Sequence, residues 1–185
     1  MSMQTTVRKP RKSKRESILQ AAMRVFCYYG FDGSTLDKIA GEAGVSKSLV
    51  IKYYGTQKEM VVICLKRFLE DFFDKAQKNA ERKGMTYEGH LDYVFELFKM
   101  SRPQIRLLLS LTLTPAHEDI SREIISEYMD FTQNLLRHFP DACDASQHKE
   151  LNYTMYALLV AYTIGGNEDN FRRARAEVLA HYQIG

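Results

Sequence analysis

Residues 36–53 have the spacing of a helix-turn-helix, the arrangement that places one helix in the major groove of DNA. Ala40 is small enough to let two helices cross closely, and Gly44 can take the left-handed backbone of the tight turn between them. Val45 and Val50 are apolar and are expected to fill the wedge between the two helices. The chemistry predicted for this segment is therefore recognition of duplex DNA by the second helix of the pair.

The outward positions of that second helix are polar or basic, so they can donate hydrogen bonds to phosphates and base edges. They are Ser46, Lys47, Ser48 and Lys52. The same segment can also be an ordinary corner between two helices of a helical domain, with its polar positions facing water. The complete spacing, the polar outer face and the basic first third of the chain favour DNA binding over that alternative.

Positive charge is concentrated in the first third of the chain. Residues 1–60 hold eleven basic and five acidic residues, a net charge of +6, whereas residues 61–185 hold fifteen basic and eighteen acidic residues, a net charge of −3. The formal net charge of +3 for the whole chain hides this division. A polyanionic partner such as DNA is therefore expected at the N-terminal end.

The basic excess is greatest between Arg8 and Arg15, where six basic residues precede the first acidic residue, Glu16. Such a run is either a solvated, disordered arm or an arm that contacts phosphate. We expect residues 1–12 to form this disordered arm. A mitochondrial-type transit peptide is disfavoured, because Pro10 and the lack of interleaved apolar residues prevent an amphipathic helix.

Motifs of the common enzyme classes are missing from the sequence. The chain has no phosphate loop, no G-x-S-x-G segment and no H-E-x-x-H segment. His117, Glu118 and Asp119 are potential metal ligands, but three adjacent residues at a predicted helix start are more typical of capping and charge compensation. The sequence therefore predicts a protein that is not an enzyme and that has no cofactor and no bound metal.

The cysteine content and the apolar pattern predict a cytoplasmic protein. Cys27, Cys64 and Cys143 are too few and too scattered for a disulfide framework or a zinc site, and we expect them to stay reduced. No run of about 18 uncharged apolar residues is present, so no membrane partner is expected. The polar, basic start of the chain lacks the apolar segment of a secretory signal.

The elements that position these residues are predicted to be helices throughout. Four prolines and ten glycines in 185 residues favour long helices over a turn-rich β fold. Apolar residues recur at helical spacing in about nine segments, which begin at caps such as Ser13, Thr35 and Asn167. The fold class is therefore all-α, with a three-helix DNA-binding domain over residues 13–56 and a larger helical domain over residues 57–185.

Several boundaries within this pattern are predicted from cap and breaker residues. Ser34 and Thr35 are both suitable N-caps for the second helix. A fifth helix is expected to end before Pro103, and residues 141–147 are expected to be a polar linker. The segment that follows, residues 151–164, is apolar on nearly all sides, which is more than one core-facing helix requires.

Residues 15–60 resemble the DNA-binding domain of the tetracycline-repressor (TetR) family. The resemblance implies a homodimer whose third helices enter adjacent major grooves, with phosphate contacts at Thr35, Ser46, Lys47 and Tyr53. The rest of the chain is similar to the family only in helix pattern and length. The residues that carry the resemblance are Arg15-Glu-Ser-Ile18-Leu19-x-Ala21-Ala22, Phe26, Gly30, Thr35-Leu-x-x-Ile39-Ala40-x-Glu42-Ala43-Gly44-Val45-Ser46-Lys47 and Tyr53-Tyr54-Gly55.

Three positions depart from the family pattern, and they leave open whether DNA contacts are weakened or redirected. The family commonly has Tyr where this chain has Ile51, a polar residue where it has Leu49, and Lys where it has Gln57. Lys58 is adjacent to Gln57, but it is turned by about 100° around the helix and replaces that Lys only in part. Lys52 is a candidate to compensate for Ile51. The predicted DNA-contacting residues are Thr35, Ser46, Lys47, Ser48, Lys52, Tyr53 and Lys58.

The same resemblance implies that the second domain binds an effector and dimerises. Its fourth to seventh helices are rich in aromatic, Leu and Met residues, which either pack a core or line a cavity. If they line a cavity, the expected effector is a small, mainly apolar or aromatic molecule. The candidate pocket residues are Phe68, Phe72, Tyr93, Phe98, Leu108, Tyr128, Met129 and Phe131.

The last two helices are expected to form the dimer interface, because the helix over residues 151–164 has more apolar surface than one core face needs. The alternative is a fully buried central helix. The candidate interface residues are Tyr156, Leu159, Val160, Phe171, Val178 and Leu179.

These features together predict a sequence-specific DNA-binding transcriptional regulator that binds a palindromic operator as a homodimer. The family resemblance favours a repressor that a small, mainly apolar effector releases, although the sequence itself does not distinguish repressor from activator. The alternative is a helical protein–protein adaptor whose basic arm binds an acidic partner or a membrane. Sequence-specific retention on duplex DNA separates the two, because an adaptor would bind DNA only in a salt-sensitive, sequence-independent way.

Overall fold

The computed structural model describes residues 13–122, 124, 138–139 and 145–182 of the chain. Within these residues the structure is helical and contains no strand, which confirms the all-α prediction. The predicted arm, residues 1–12, lies outside the described residues. No described helix is long and apolar enough to cross a membrane. The elements are α1 (Lys14–Tyr29), α2 (Leu36–Ala43), α3 (Lys47–Tyr54), α4 (Gln57–Ala80), α5 (Tyr87–Met100), α6 (Arg102–Leu113), a 3-10 turn (Pro115–His117), α7 (residues 118–122 and 124), α8 (Ala145–Gly165) and α9 (Glu168–His181).

The chain divides into two compact units, the first ending at Val61 and the second beginning at Val62. The division therefore lies inside α4, whereas the sequence analysis places it before residue 57. Met60 and Val61, the last side chains of the first unit, are fully buried. The first turn of α4 is thus part of the DNA-binding unit, and the rest of the helix belongs to the second unit.

The first unit is stabilised by a core shared among its helices. α2 and α3 have eight residues each, too few for either helix to be stable alone in water. Burial of a large apolar side chain contributes roughly 1.5–3 kcal/mol, so packing rather than helix propensity stabilises these short elements. The buried side chains of α1, α2 and α3 include Ile18, Leu19, Ala21, Ala22, Val25, Phe26, Ile39, Ala40 and Val50.

The loop between α1 and α2 is closed by two adjacent hydroxyl groups with different roles. Thr35 is the N-cap of α2, since its hydroxyl accepts a hydrogen bond from the backbone N of Lys38 (3.2 Å). Ser34 does not cap α2. Its buried hydroxyl is 2.6 Å from the carbonyl oxygen of Gly30 and 3.3 Å from that of Val25, so it satisfies the carboxyl end of α1 instead.

Among the described residues of the second unit, apolar side chains form two clusters. The larger one, here called the aromatic cluster, joins side chains of α4, α5, α6, α8 and α9. At its centre the rings of Phe95 and Phe171 stack with their centroids 4.0 Å apart. A smaller cluster surrounds the fully buried Leu151 and includes Tyr87, Phe139 and Met155. The buried members of the aromatic cluster are Phe72, Ala76, Phe95, Leu97, Phe98, Ile105, Leu159 and Phe171.

Two helices begin earlier than their apolar stripes suggest. The predicted linker over residues 141–147 was wrong at its end, because α8 already begins at Ala145. α6 begins at Arg102 and takes Pro103 into its first turn, where a residue without N–H breaks no intrahelical hydrogen bond. In both cases the first turn is polar or lacks a buried stripe, so hydrophobic periodicity does not reveal it.

Candidate nucleic-acid interface

The turn between α2 and α3 has the geometry of a helix-turn-helix. Gly44 ends α2 with φ 64° and ψ 38°, the left-handed conformation that glycine adopts without strain. The backbone N of Val45 donates to the carbonyl oxygen of Ala40 (3.0 Å), and the backbone N of Gly44 donates to that of Gly41 (3.2 Å). These bonds close the carboxyl end of α2 and set the direction in which α3 leaves the turn.

The inner face of α3 is fixed to the rest of the first unit. Val50 is fully buried, Ala40 is 5% exposed and Val45 is half-buried, as a wedge between two closely crossing helices requires. The buried Tyr54 donates from its hydroxyl to the carbonyl oxygen of Arg15 in α1 (2.7 Å). The opposite face of α3 is consequently left to the solvent.

That opposite face, here called the α3 face, consists of Lys47, Ser48, Ile51 and Lys52, all of which are exposed. Ser46 precedes it as the N-cap of α3, and its hydroxyl accepts from the backbone N of Leu49 (3.3 Å). The same hydroxyl lies 3.0 Å from the hydroxyl of Ser48. The structure thus places four predicted DNA-contacting residues on one continuous surface: Ser46, Lys47, Ser48 and Lys52.

Lys47 forms an ion pair across the two helices of the motif. Its Nζ lies 2.7 Å from Oδ2 of Asp37 in the first turn of α2. The two side chains are 50% and 68% exposed, so water screens the pair and its contribution to stability is at most about 1 kcal/mol. Asp37 therefore orients Lys47 without holding it firmly, and a phosphate group can compete for it.

Arg15 is a further basic residue at this surface that the predicted contact set does not include. Its guanidinium carbon lies 5.5 Å from the ring centroid of Tyr53 and 5.9 Å from that of Tyr54. Arg15 is exposed and Tyr53 is half-buried, and a cation–π contact at such a solvent-accessible site contributes about 0.5–1 kcal/mol. The contact places a positive charge beside Tyr53, which the family resemblance implies as a phosphate contact. Sequence spacing does not reveal it, because α1 and α3 meet only in the folded unit.

The start of α4 is tied to the α1–α2 loop through Gln57, the position where the family has Lys. Nε2 of Gln57 donates to the carbonyl oxygen of Phe31 (2.6 Å). This side chain therefore has a structural partner within the unit and does not simply stand in for a phosphate-contacting lysine. Lys58 is exposed beside it.

A capping box fixes the first residue of α4. The backbone N and the hydroxyl of Thr56 lie 2.7 and 2.8 Å from Oε2 of Glu59, and the Thr56 hydroxyl is 3.2 Å from the backbone N of Glu59. The hydrogen bond from the Thr56 backbone, followed by that from its hydroxyl, lowers the pKa of Glu59 below the usual value of a carboxyl group. The T-x-x-E spacing that signals this box, Thr56 followed by Glu59, is visible in the sequence.

Lys38 of α2 is another basic residue of the first unit that the predicted contact set does not include. Its Nζ donates to the carbonyl oxygen of Gly33 (2.6 Å) and lies 4.2 Å from the ring centroid of Tyr29. Thr35, which caps the same helix, is exposed as a phosphate contact requires. No spacing rule signals Lys38, since its contacts depend on how the α1–α2 loop closes.

The candidate metal ligands and the Cys27 thiol have local partners in the part of the chain that the structure describes. Among the described residues, no group of three or more His, Cys, Asp or Glu side chains could hold a metal ion. Glu118 pairs with Arg122 at 2.6 Å, and the carboxylate of Asp119 accepts from the next backbone N–H, so both serve local helix contacts. Cys27 lies 3.7 Å from Sδ of Met23, and burial raises the pKa of its thiol to about 11. This thiol is protonated at neutral pH and is a poor nucleophile.

Four of the predicted pocket residues meet in or against the aromatic cluster. Phe72 and Phe98 are buried there with ring centroids 5.3 Å apart, and Phe68 and Tyr93 are partly buried against it. Leu108 of α6 is half-buried. Among the described residues these aromatic rings are packed on one another. The other three predicted pocket residues lie outside the described residues: Tyr128, Met129 and Phe131.

Three of the predicted dimer residues are buried within the single chain, which corrects their placement at a free surface. Leu159 and Phe171 belong to the aromatic cluster, and Leu179 is 5% exposed. Val160 and Val178 are half-buried, and the side chain of Tyr156 lies outside the described set. The physical reason is that α8 buries one apolar face and exposes another. The exposed residues of this second apolar face, here called the α8 face, are Tyr153, Ala157, Ala161 and Ile164.

A known protein family matches most of the helical part of the first unit. Residues 18–62 match the family described as bacterial regulatory proteins, tetR family. The matched segment contains the turn at Gly44 and the complete α3 face. The geometry described above and the family match therefore concern the same part of the chain.

Individual relatives extend the likeness to most of the chain. The biofilm operon icaADBC HTH-type negative transcriptional regulator IcaR of Staphylococcus aureus is 24% identical over 136 residues, which are 73% of this chain and 72% of IcaR. The transcriptional regulator FadR from Bacillus subtilis, solved in complex with stearoyl-CoA, has a TM-score of 0.63 at 16% identity, over 89% of this chain and 95% of FadR. The multidrug binding protein EbrR, complexed with imidazole, has a TM-score of 0.67 at 21% identity, over 95% and 97%. The two structural neighbours show that the fold is shared.

Proposed function

The chain belongs to the tetR family of bacterial regulatory proteins and is a DNA-binding transcriptional regulator, and we propose that it represses transcription as a homodimer bound to a palindromic operator. We further propose that a small, mainly apolar effector bound in the second unit releases it from DNA. The observation that carries the proposal is the α3 face, an exposed and basic helix surface whose orientation is set by the left-handed turn at Gly44.

The proposed contacts to DNA divide into two kinds. Lys47, Lys52 and Lys58 supply positive charge for phosphates and give affinity without sequence preference. Thr35 and the hydroxyl of Tyr53 add hydrogen bonds to the backbone, which fix the register of α3. Base edges are then read from the α3 face, where Ser46 and Ser48 are close enough to share a hydrogen bond.

Dimerisation is supported by the α8 face. It exposes Tyr153 and Ile164 by 45% and 64%, and none of its four residues is charged. Pairing of two copies through α8 and α9 buries such a surface, and a two-fold axis between identical chains makes the preferred operator palindromic.

Repression and effector release are supported by the relatives. IcaR is described as a negative transcriptional regulator, and the FadR structure holds stearoyl-CoA, whose long acyl chain is apolar. The side chains of the aromatic cluster are apolar, so a ligand that inserts among them must itself be mainly apolar. Since α4 begins in the first unit and continues into the second, a ligand that shifts α4 can lower DNA affinity. A hundredfold loss requires the ligand to distinguish the two states by about 2.7 kcal/mol.

A helical adaptor with a basic arm is not favoured as the function. The turn geometry and the family match both lie in the segment that an adaptor would leave without a specific role. The adaptor hypothesis also does not explain why α3 is capped, faces outward and carries two lysines.

The test is selection of bound sequences from a random duplex DNA pool with the full-length protein. We expect a palindromic motif, and we expect binding to it to weaken steeply with salt, with each phosphate contact adding about 0.9 to the slope of log affinity against log salt. Recovered duplexes without a common motif would contradict the proposal. Addition of acyl-CoA or an apolar drug to the selected complex then tests release.

A further inference from the structure

One residue in the middle of the α3 face cannot form hydrogen bonds through its side chain. Ile51 is 46% exposed, although the apolar residues of the inner face, Val50 and Tyr54, are buried. It follows Lys47 by four positions and Ser48 by three, so all three share one stripe of the helix. Ile51 therefore lies among the polar residues proposed to enter the groove and not beside the core.

The polar side chains next to Ile51 have partners of their own, and Ile51 occupies the centre of this stripe. The hydroxyl of Ser48 is 3.0 Å from that of Ser46, and Nζ of Lys47 is 2.7 Å from Asp37, so both polar groups are paired with residues that precede α3 in the chain. Lys52 is exposed and carries a long flexible side chain suited to phosphate. The apolar surface of Ile51 is consequently the part of the α3 face between these polar groups.

The major groove offers one apolar group to such a side chain, the C5-methyl group of thymine. Resting on the proposed function, we propose that Ile51 is a specificity-determining residue that packs against a thymine methyl group in each half-site of the operator. Lys47 and Lys52 contribute affinity that does not depend on sequence. Ile51 selects thymine at one position, because only that base buries the side chain against a methyl group.

The experiment replaces each thymine of the selected operator, one position per half-site at a time, with uracil, which lacks only the methyl group. We expect one pair of positions at which wild-type affinity falls by about fourfold per half-site, the value of burying one methyl-sized apolar group, and thus about sixteenfold for the dimer. The Ile51→Ala variant should bind the thymine operator more weakly and show no difference at that position. Ile51→Val, which keeps a branched apolar side chain, should retain most of the difference.

Ile63→Ala is the matched control, because Ile63 is also an isoleucine with a partly exposed side chain, at 39%, and it lies in the second unit. When thymine is replaced by uracil, the Ile63→Ala variant should lose as much operator affinity as the wild type does. Thermal unfolding of each variant checks that the comparison is made between folded proteins. Because Ile51 is exposed, Ile51→Ala should change the free energy of unfolding by no more than about 0.5 kcal/mol, as is usual for a surface substitution.

Two results would overturn the inference while leaving the proposed function intact. One is an operator at which no thymine-to-uracil change weakens binding, and the other is an equal loss for wild type and Ile51→Ala. A selection that yields no common motif contradicts the proposed function itself and removes this inference with it. The two failures are thus distinguished before any uracil is introduced.

Discussion

In the first unit the residues proposed to contact DNA lie on the surface, whereas in the second unit four of the residues proposed to contact an effector lie in or against the core. The α3 face is held from behind by Val50 and Tyr54, which are buried. The corresponding support in the second unit is the aromatic cluster itself, in which Phe72 and Phe98 are both core residues and pocket candidates.

In the first unit, therefore, different residues serve DNA binding and folding stability, whereas in the second unit the same residues serve both the proposed ligand binding and stability. Substitution on the α3 face changes DNA contacts with little effect on folding, since those side chains have few neighbours to lose. Substitution in the aromatic cluster removes packing and a possible ligand contact together, because the same side chains serve both. Four changes test this contrast, from the largest expected effect to the smallest.

Leu159→Glu should unfold the second unit, because the side chain is 7% exposed within the aromatic cluster. Placing a carboxylate there should lower the free energy of unfolding by about 4 kcal/mol or more. Thermal unfolding followed by circular dichroism measures the loss. Ala161→Glu on the exposed face of the same helix is the control: it should keep the fold and give a monomer by equilibrium sedimentation. A folded, dimeric Leu159→Glu variant would show that α8 packs differently.

Acid should destabilise the second unit through His90, which is 1% exposed and lies 2.9 Å from the side-chain oxygen of Asn79. Burial, and to a smaller extent the charge of His138, lowers the pKa of His90 from 6.5 to about 4. The unfolded chain therefore binds a proton below pH 6.5 that the folded chain takes up only near pH 4. The free energy of unfolding keeps its full value above pH 6.5, and it falls by on the order of 2 kcal/mol as the pH drops to about 4.5.

Urea unfolding between pH 7 and pH 4.5 measures this dependence. The His90→Gln variant has no titrating group at this position, so its stability should change less over the same range. If wild type and variant lose stability equally, another group is responsible for the acid sensitivity.

Gly44→Val should disrupt operator binding while the second unit stays folded. No atom lies within 4 Å of a Cβ built at Gly44, so the cost comes from the left-handed backbone and amounts to about 1 kcal/mol or more. Gly41→Ala is the matched control in the same helix, since its φ is not left-handed and its Cβ also meets open space. It should retain binding and stabilise α2 by up to about 1 kcal/mol. Gel-shift titration compares them, and equal affinities would mean that the turn does not position α3.

Asp37→Asn should have the smallest effect on folding. The Asp37–Lys47 pair is exposed on both sides, so its loss should change the free energy of unfolding by less than about 1 kcal/mol. DNA affinity should rise slightly at low salt, because Lys47 no longer has a competing carboxylate and one negative charge near the phosphates is removed. A loss of affinity would instead show that Asp37 holds Lys47 in its binding position.

The α2–α3 segment is predictable from the sequence because short-range rules determine it. A glycine at position 44 and a hydroxyl cap at Thr35 act within one helical turn, so their types and spacing predict the observed ends of α2. Arg15 beside Tyr53 and Gln57 against Phe31 were not predicted as partners. Each of these pairs joins residues far apart along the chain, and no local rule brings them together.

The sequence by itself therefore determined the all-α class, the helix caps and the position of the helix-turn-helix, since these depend on helical periodicity and on hydrogen bonds within a few residues. Only the tertiary structure decided which apolar face of α8 is buried. Leu159 and Ala161 lie two positions apart in a helix that is apolar on nearly every side, so composition cannot tell them apart. Packing of α8 against its neighbours leaves Leu159 in the aromatic cluster and Ala161 exposed, because a helix can turn only one side toward a given core.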